Sequence, residues 1–220
     1  MSAVELLTWA RGPGLQLAVA IFLLGITVRI VEMWLLRRAT DHAVARNPNI
    51  MATGWRTVWH RSLPAPGLLK RAPLVFIGGY IFHLGFLITL VFFVPHIELF
   101  RGLFGFGWPG LSSALIDVIT MISMIALVAL LVHRLVDPVR RFLSHSGDYI
   151  AWAVTFLPLL TGYLAVHRLA LPYTQMLAIH ILSVELLLVV LPFTKLIHTF
   201  TVFFSRWYNG AIAGRKGVAS

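Results

Sequence analysis

Apolar and polar segments alternate along the chain in a pattern that predicts five membrane-spanning helices. Arginine, proline and glycine are concentrated between the apolar stretches. Each stretch is long enough to cross the roughly 30 Å hydrocarbon core of a bilayer as a helix. The predicted spans cover about 15–36, 73–96, 113–133, 149–167 and 174–204. The fold class that follows is an all-α integral membrane protein, a five-helix bundle forming a single domain over 1–220.

Composition supports the same class. Of the 220 residues 59% are hydrophobic and only 12% are charged, and the mean hydropathy of +0.86 is not typical of a soluble domain. The chain has no cysteine, which excludes disulfides, thiolate ligation of iron–sulfur clusters and covalent haem attachment within it. The first residues lack a basic start and a small-residue cleavage site, so we expect no cleaved signal peptide.

The distribution of lysine and arginine predicts the orientation. If the N-terminus lies outside, 14 Lys and Arg residues fall on the cytoplasmic side, and three lie outside: Arg11, Arg101 and Arg168. Cytoplasmic loops of membrane proteins carry such an excess, which predicts N-terminus outside and C-terminus inside. The net charge of +10 is therefore assigned to these loops, and we expect no nucleic-acid partner.

Residues 37–72 form a basic connection that this orientation places in the cytoplasm. Trp55 and Trp59 lie four residues apart within it. This spacing predicts a short amphipathic helix on the membrane surface before the second span, with a docking surface for a partner as the alternative. The basic residues of the connection are Arg37, Arg38, Arg46, Arg56, Arg61, Lys70 and Arg71, against the single acid Asp41.

Histidines are the only strong candidate metal ligands. His180 and His198 end a stretch that we predict as one helix, in which 18 residues make five turns and place both imidazoles on one face, about 27 Å apart. His83 lies inside the second span and His96 near its outer end. Because the second and fifth spans are antiparallel, His83 and His198 fall at a similar inner depth, and His96 and His180 at a similar outer depth.

Two such pairs are suited to two stacked haem irons with axial histidines. The alternative is that the histidines bind nothing and contact water or a neighbouring helix. His83 most needs a partner, because an ionisable side chain in the middle of a membrane is costly. His167, at the outer end of the fourth span, is a reserve ligand for the outer site.

Three motifs carry a resemblance to a known family. They are "YIFHLGFL" around His83, "HRLVDPVRR" between the third and fourth spans, and "LPFTKLIH" ending at His198. Over roughly 74–208 the chain resembles the gamma subunit of respiratory nitrate reductase, and its longer basic connection is similar to membrane subunits of heterodisulfide-reductase-like and sulfite-reduction-associated complexes. Where the nitrate reductase subunit has the second histidine of its second span, this chain has Phe93. We therefore expect His96 to take that place, and the alternative is an altered or absent outer haem.

The resemblance implies a cytochrome b with two b haems between the second and fifth spans. It implies His83 and His198 as ligands of the inner haem and His180 on one side of the outer haem, with quinol oxidised near the outer haem. Electrons would pass to a cytoplasmic iron–sulfur subunit and from it to a further catalytic subunit, so we expect no activity from this chain alone. The expected location is a bacterial or archaeal cytoplasmic membrane.

The remaining candidates concern protons and the haem periphery. For Glu98, Arg101 and Asp117 we expect a role in the quinone or proton path near the outer haem, and Glu185 is a second candidate deep in the fifth span. Structural ion pairing is the alternative for each. Lys195 is a candidate partner of a haem propionate. A non-redox membrane anchor or transporter is the alternative function from a different class.

Overall fold

A computed structural model describes residues 1–36 and 44–218, and these residues form helices and connecting turns with no strand among them. Five helical segments are long and apolar enough to cross a membrane, which confirms the predicted number of spans. They are Ala3–Leu35, Pro73–Phe92, Ser113–Val136, Ser146–Val166 and Tyr173–Phe193. Arg37, Arg38, Asp41 and His42 of the basic connection lie outside the described residues.

The helices are labelled in chain order. They are α1 (Ala3–Trp9), α2 (Leu15–Leu35), α3 (Ile50–His60), α4 (Pro66–Arg71), α5 (Pro73–Phe92), α6 (Val94–Phe104), α7 (Ser113–Val136), α8 (Pro138–Leu143), α9 (Ser146–Val166), α10 (Tyr173–Val190) and α11 (His198–Arg215). A π-helical turn, Ala10–Gly14, joins α1 to α2 around Pro13, which lacks the N–H that a regular turn needs. The first span is therefore longer than predicted, since helix begins at Ala3 rather than near residue 15.

The second span ends earlier than predicted. The helix stops at Phe92 and Phe93 is extended, with φ −76° and ψ 123°, before α6 begins. Pro95 cannot continue α5, because it has no N–H and its ring would meet the carbonyl four residues earlier. The predicted range 73–96 thus covers one helix and the first turn of the next, and His96 belongs to that next turn.

The prediction of one straight helix from residue 179 to His198 is wrong. After α10 come a short 3-10 turn at Leu191–Phe193, an extended Thr194 and a second 3-10 turn at Lys195–Ile197. Pro192 removes a backbone donor inside the predicted helix. The carbonyl of Pro192 accepts a hydrogen bond at 3.2 Å from Nε of Arg29 in α2, so a neighbouring helix stabilises the break.

The spans pack in the spatial order α5, α7, α9, α10 and α2, and α1 also packs on α10. Small residues allow the close approaches, as is common between membrane helices. Gly85 of α5 lies directly against Ser123 of α7, and Gly25 of α2 lies against Pro192. Within the described chain α5 and α10 are not among the closely packed pairs, so the bundle is an arc with a gap between these two helices.

One end of the arc carries α3, α8 and α11, and we call it the basic end. The predicted short helix in the basic connection is present as α3, and it packs against α11. Gly54 lies against the Trp207 ring, and Gly210 against Thr57. We call the opposite end, where 105–112 and 167–172 connect the spans, the short-loop end.

Candidate functional site

Two pairs of histidines face each other across the gap between α5 and the α10–α11 segment. The ring centres of His83 and His198 lie 6.1 Å apart, with planes at 75°. Those of His96 and His180 lie 6.3 Å apart, with planes only 17° from parallel. The first pair is at the basic end and the second at the short-loop end. These are the four histidines that the sequence grouped into an inner and an outer pair.

Backbone carbonyls fix the rings of the first pair. Nδ1 of His83 lies 2.7 Å from the carbonyl oxygen of Gly79, one turn earlier in α5. Nδ1 of His198 lies 2.7 Å from the carbonyl oxygen of Lys195. A carbonyl can only accept a hydrogen bond, so Nδ1 carries the proton in both neutral rings and Nε2 keeps its lone pair.

His96 is oriented by the end of α5. The last carbonyls of a helix have no partner within the helix. Nδ1 of His96 lies 3.1 Å from the carbonyl oxygen of Leu90 and 3.3 Å from that of Thr89. The next two carbonyls accept from the indole N–H of Trp108, at 2.8 Å, and from the N–H of Leu111, at 3.0 Å. His96 is therefore part of the cap of α5, and its Nε2 is again left with a lone pair.

His180 is held by α9. The hydroxyl of Thr161 donates to the carbonyl of Leu157 at 2.7 Å, which leaves its oxygen to accept from Nδ1–H of His180 at 3.2 Å. Gly162 makes this approach possible, because a Cβ at that position would lie 3.0 Å from Cε1 of His180. The hydroxyl of Ser183 adds a bond of 2.9 Å to Thr161. Sequence analysis missed Thr161 and Gly162, which lie on a different helix from the histidine that they position.

Nδ1 is hydrogen-bonded in all four rings, and among the described residues Nε2 of His83, His96 and His198 has no hydrogen-bond partner. The backbone of Pro158 in α9 is a further partner of the His180 ring. A histidine that binds a metal through Nε2 commonly donates its Nδ1–H to a carbonyl or another fixed acceptor, which sets the tautomer and the ring orientation. His83 and His198 are exposed in the isolated chain, and His96 and His180 are half-buried. Within the described part of the chain no group of three or more His, Cys, Asp or Glu residues is arranged to hold a metal ion.

Except for Glu185, the other predicted site residues have partners of their own outside the two pairs. Glu98 and Arg101 form an exposed ion pair of 2.9 Å within α6. Glu185 is buried at the α1–α2 junction, where both its carboxylate oxygens would meet a Cβ on Gly14 at 3.0 Å.

Lys195 and Asp117 each contact a side chain of α9 or its C-terminal end. Nζ of Lys195 lies 2.7 Å from Asp148 at the start of α9, so a protein carboxylate takes the contact predicted for a propionate. Asp117 pairs with His167, Oδ1 to Nε2, at 3.3 Å.

Comparison with known proteins adds one relative. A protein of Nitratidesulfovibrio vulgaris (strain Hildenborough), described only as "Protein", is 30% identical over 141 residues. The match covers 64% of this chain and 62% of the relative, so it spans less than two thirds of either. No family model matches the chain, and no solved structure gives a significant match.

Proposed function

We propose that the chain is a di-haem b membrane subunit that exchanges electrons between the quinone pool and a cytoplasmic iron–sulfur partner. The observation that carries the proposal is the pair of facing histidines at each end of the gap between α5 and α10. His83 and His198 would hold one haem, and His96 and His180 the other. The bound haems would supply reversible one-electron chemistry, and the chain sets their ligation and surroundings.

The spacing of the rings fits an iron between them. A metal–imidazole bond is about 2.0 Å, so an ion bound between two facing imidazoles would place their ring centres on the order of 6 Å apart. The observed separations are 6.1 and 6.3 Å. Each pair would supply the two histidine nitrogens that a bis-histidine haem needs from the protein.

The contacts of the rings support ligation over the alternative of histidines that bind nothing. Four imidazoles in or near apolar spans are costly without a role, and here each is held by a fixed acceptor in the tautomer that leaves Nε2 as a donor to a metal. The open space beside Gly79, one turn from His83, is consistent with a bulky group in the gap.

The remaining parts of the proposal concern location and partners. We place the basic end on the cytoplasmic side, because its helices α3, α8 and α11 carry several arginines and cytoplasmic segments of membrane proteins are rich in Lys and Arg. That side would receive the iron–sulfur subunit of a larger oxidoreductase in a bacterial or archaeal cytoplasmic membrane. The complex would be of the nitrate-reductase-gamma type or of the related heterodisulfide-reductase or sulfur-metabolism types. Quinol would react at the short-loop end.

A reduced-minus-oxidised absorbance spectrum of the purified chain, with haem extraction, tests this proposal. We expect a b-type band and two non-covalent haems per chain. A spectrum with no b-type band would overturn the proposal and favour a non-redox anchor or transporter. A chain with one haem would restrict the proposal to a single site, which the ligand variants described below would identify.

A further inference from the structure

A pair of ionisable groups outside the histidine pairs joins α7 to α9 at the short-loop end. Nε2 of His167 lies 3.3 Å from Oδ1 of Asp117, and the two side chains are 34% and 29% exposed. The Tyr163 ring packs against the imidazole, with ring centres 4.3 Å apart. Its hydroxyl lies 3.3 Å from the sulfur of Met121, so the tyrosine also joins the two helices.

His167 is not arranged as a member of either facing pair. His96 and His180 face each other without it, and its Nε2 is engaged by a carboxylate. Their contact is an ion pair when the imidazole is protonated, so the carboxylate of Asp117 stabilises the proton-bearing form of His167. Nδ1 of His167 has no hydrogen-bond partner among the described residues. The arrangement resembles the pairing by which an aspartate orients a histidine that acts as a general base.

The pair is close to the proposed haem of the short-loop end. Thr161 and Gly162, which contact His180, precede His167 on α9 by less than two turns. At 1.5 Å of rise per residue, His167 lies about 9 Å along the axis from Thr161. A small molecule beside Tyr163 and His167 would therefore be near both a base and an electron acceptor.

We propose that His167 is a catalytic base that accepts protons from a hydroquinone bound at the short-loop end, and that Asp117 positions it. The proposal rests on the function proposed above and names the residue that takes the protons. Oxidation of a hydroquinone to a quinone breaks two O–H bonds and releases two protons and two electrons. Each proton would pass to the imidazole of His167 and from there to solvent. The two electrons would leave toward the site of His96 and His180, where a bound haem would accept them one at a time.

The test uses the full-length haem-loaded chain and the variants His167→Gln, Asp117→Asn and Asp117→Glu. His133→Gln is the control, because it makes the same substitution as His167→Gln at a histidine near the basic end of α7. Haem content and the dithionite-reduced spectrum are measured first, since they do not depend on quinol chemistry. Stopped-flow reduction by duroquinol, a soluble hydroquinone, then gives the maximal rate and its dependence on quinol concentration.

We expect every variant to keep the wild-type haem content and to be reduced by dithionite. The maximal rate with duroquinol should fall about 100-fold in His167→Gln, in the range of general base catalysis, with little change in the half-saturating concentration. The rate should fall about 10-fold in Asp117→Asn, and Asp117→Glu should restore much of it, because glutamate keeps the negative charge beside the imidazole. His133→Gln should match the wild type.

Three results would overturn the proposal. Loss of a haem in His167→Gln would make His167 a ligand, and an unchanged rate in that variant would make the pair with Asp117 structural. Equal loss in Asp117→Glu and Asp117→Asn would remove the positioning role of the carboxylate. If duroquinol still reduces the wild-type protein, each of these three results contradicts only the role of His167 and Asp117, and the proposed function is unaffected. A wild type with no haem, or one that duroquinol does not reduce, would instead count against the proposed function and the base together.

Discussion

The imidazole rings of His96 and His180 lie 6.3 Å apart, with planes 17° from parallel. A straight α5 would not bring them together, since His96 is 13 residues beyond His83 and an ideal helix rotates it about 140° away from that histidine. The break at Phe93 starts a new helix, and hydrogen bonds to the carbonyls of Thr89 and Leu90 turn the His96 ring back toward the end of α5. The same break that ends the span thus places its second histidine.

The first prediction concerns the haem at the basic end. His198→Ala removes one of two facing imidazoles, and we expect haem content to fall from two per chain to one, with the b-type absorbance reduced by about half. Haem extraction and the reduced spectrum of the purified variant measure this. His133→Ala, a histidine on α7 outside both pairs, should keep both haems. Full haem content in His198→Ala would count against the assignment of His83 and His198.

The second prediction concerns the haem at the short-loop end. His96→Ala should likewise reduce two haems to one, and His96→Ala with His198→Ala should leave none, because the two sites share no ligand. The measurement is haem extraction from the three proteins side by side. One haem in both the wild type and His96→Ala would remove the site at the short-loop end. Two haems in both the wild type and His96→Ala would mean that His167, not His96, is the second ligand at the short-loop end.

The third prediction tests the support that α9 gives to His180. In Gly162→Ala the new Cβ would lie 3.0 Å from Cε1 of His180, so the ring must move and its bond to Thr161 must lengthen. We expect the haem content to fall to between one and two per chain. The haem of His83 and His198 should be unaffected. Alanine favours helix over glycine by about 1 kcal/mol, so a weakened α9 would not explain the loss.

Gly147→Ala is the matched control for this prediction. Gly147 lies in the same helix, and a Cβ there would meet nothing within 4 Å. It should keep the wild-type haem content and thermal unfolding temperature in detergent. A Gly162→Ala protein with two haems and a wild-type spectrum would show that the close approach of His180 to α9 is not needed for haem binding.

The fourth prediction concerns docking at the basic end. Arg56, Arg61 and Arg141 are exposed there, whereas Arg140 is paired with Asp137 at 3.5 Å and is left unchanged. Reversal of the three exposed charges to glutamate should reduce the recovery of the iron–sulfur partner several-fold in co-purification from native membranes. The wild-type interaction should also weaken as salt is raised, because exposed charges are screened within about 10 Å at 0.1 M salt.

Charge reversal at the short-loop end is the control for docking. Arg11, Arg101 and Arg168 lie there, and their reversal should leave recovery of the partner unchanged. Normal recovery after reversal at the basic end would mean that those arginines serve only to orient the chain in the membrane.

The sequence was sufficient to predict the number of spans and which histidines pair at each end. A span depends on the average hydropathy of its own residues, because lipid is a uniform partner and requires no specific contact. Five apolar stretches therefore predicted five helices, as the structure confirms. Prolines lie at the two breaks, Pro95 and Pro192, although the predicted spans run through both.

The sequence did not predict how each break is made. The ends of α5 and α10 depend on donors from distant parts of the chain, such as Trp108 for the carbonyl of Val91 and Arg29 for that of Pro192. The straight helix from residue 179 to His198 was wrong for this reason, since local periodicity contains no information about a partner on α2. Segment hydropathy alone also placed the end of the second span too late.

Tertiary structure alone decided which side chains meet. His167 was predicted as a reserve ligand and Lys195 as a partner of a propionate, and the structure pairs them with Asp117 and Asp148. Thr161 of α9 positions His180, and nothing in the sequence pattern marks this threonine. Such contacts depend on the rotation, tilt and packing order of the helices, which are set by close contacts between them. Hydropathy and helical periodicity fix the span and the face of a residue, and the neighbour that it meets is fixed only when the helices pack.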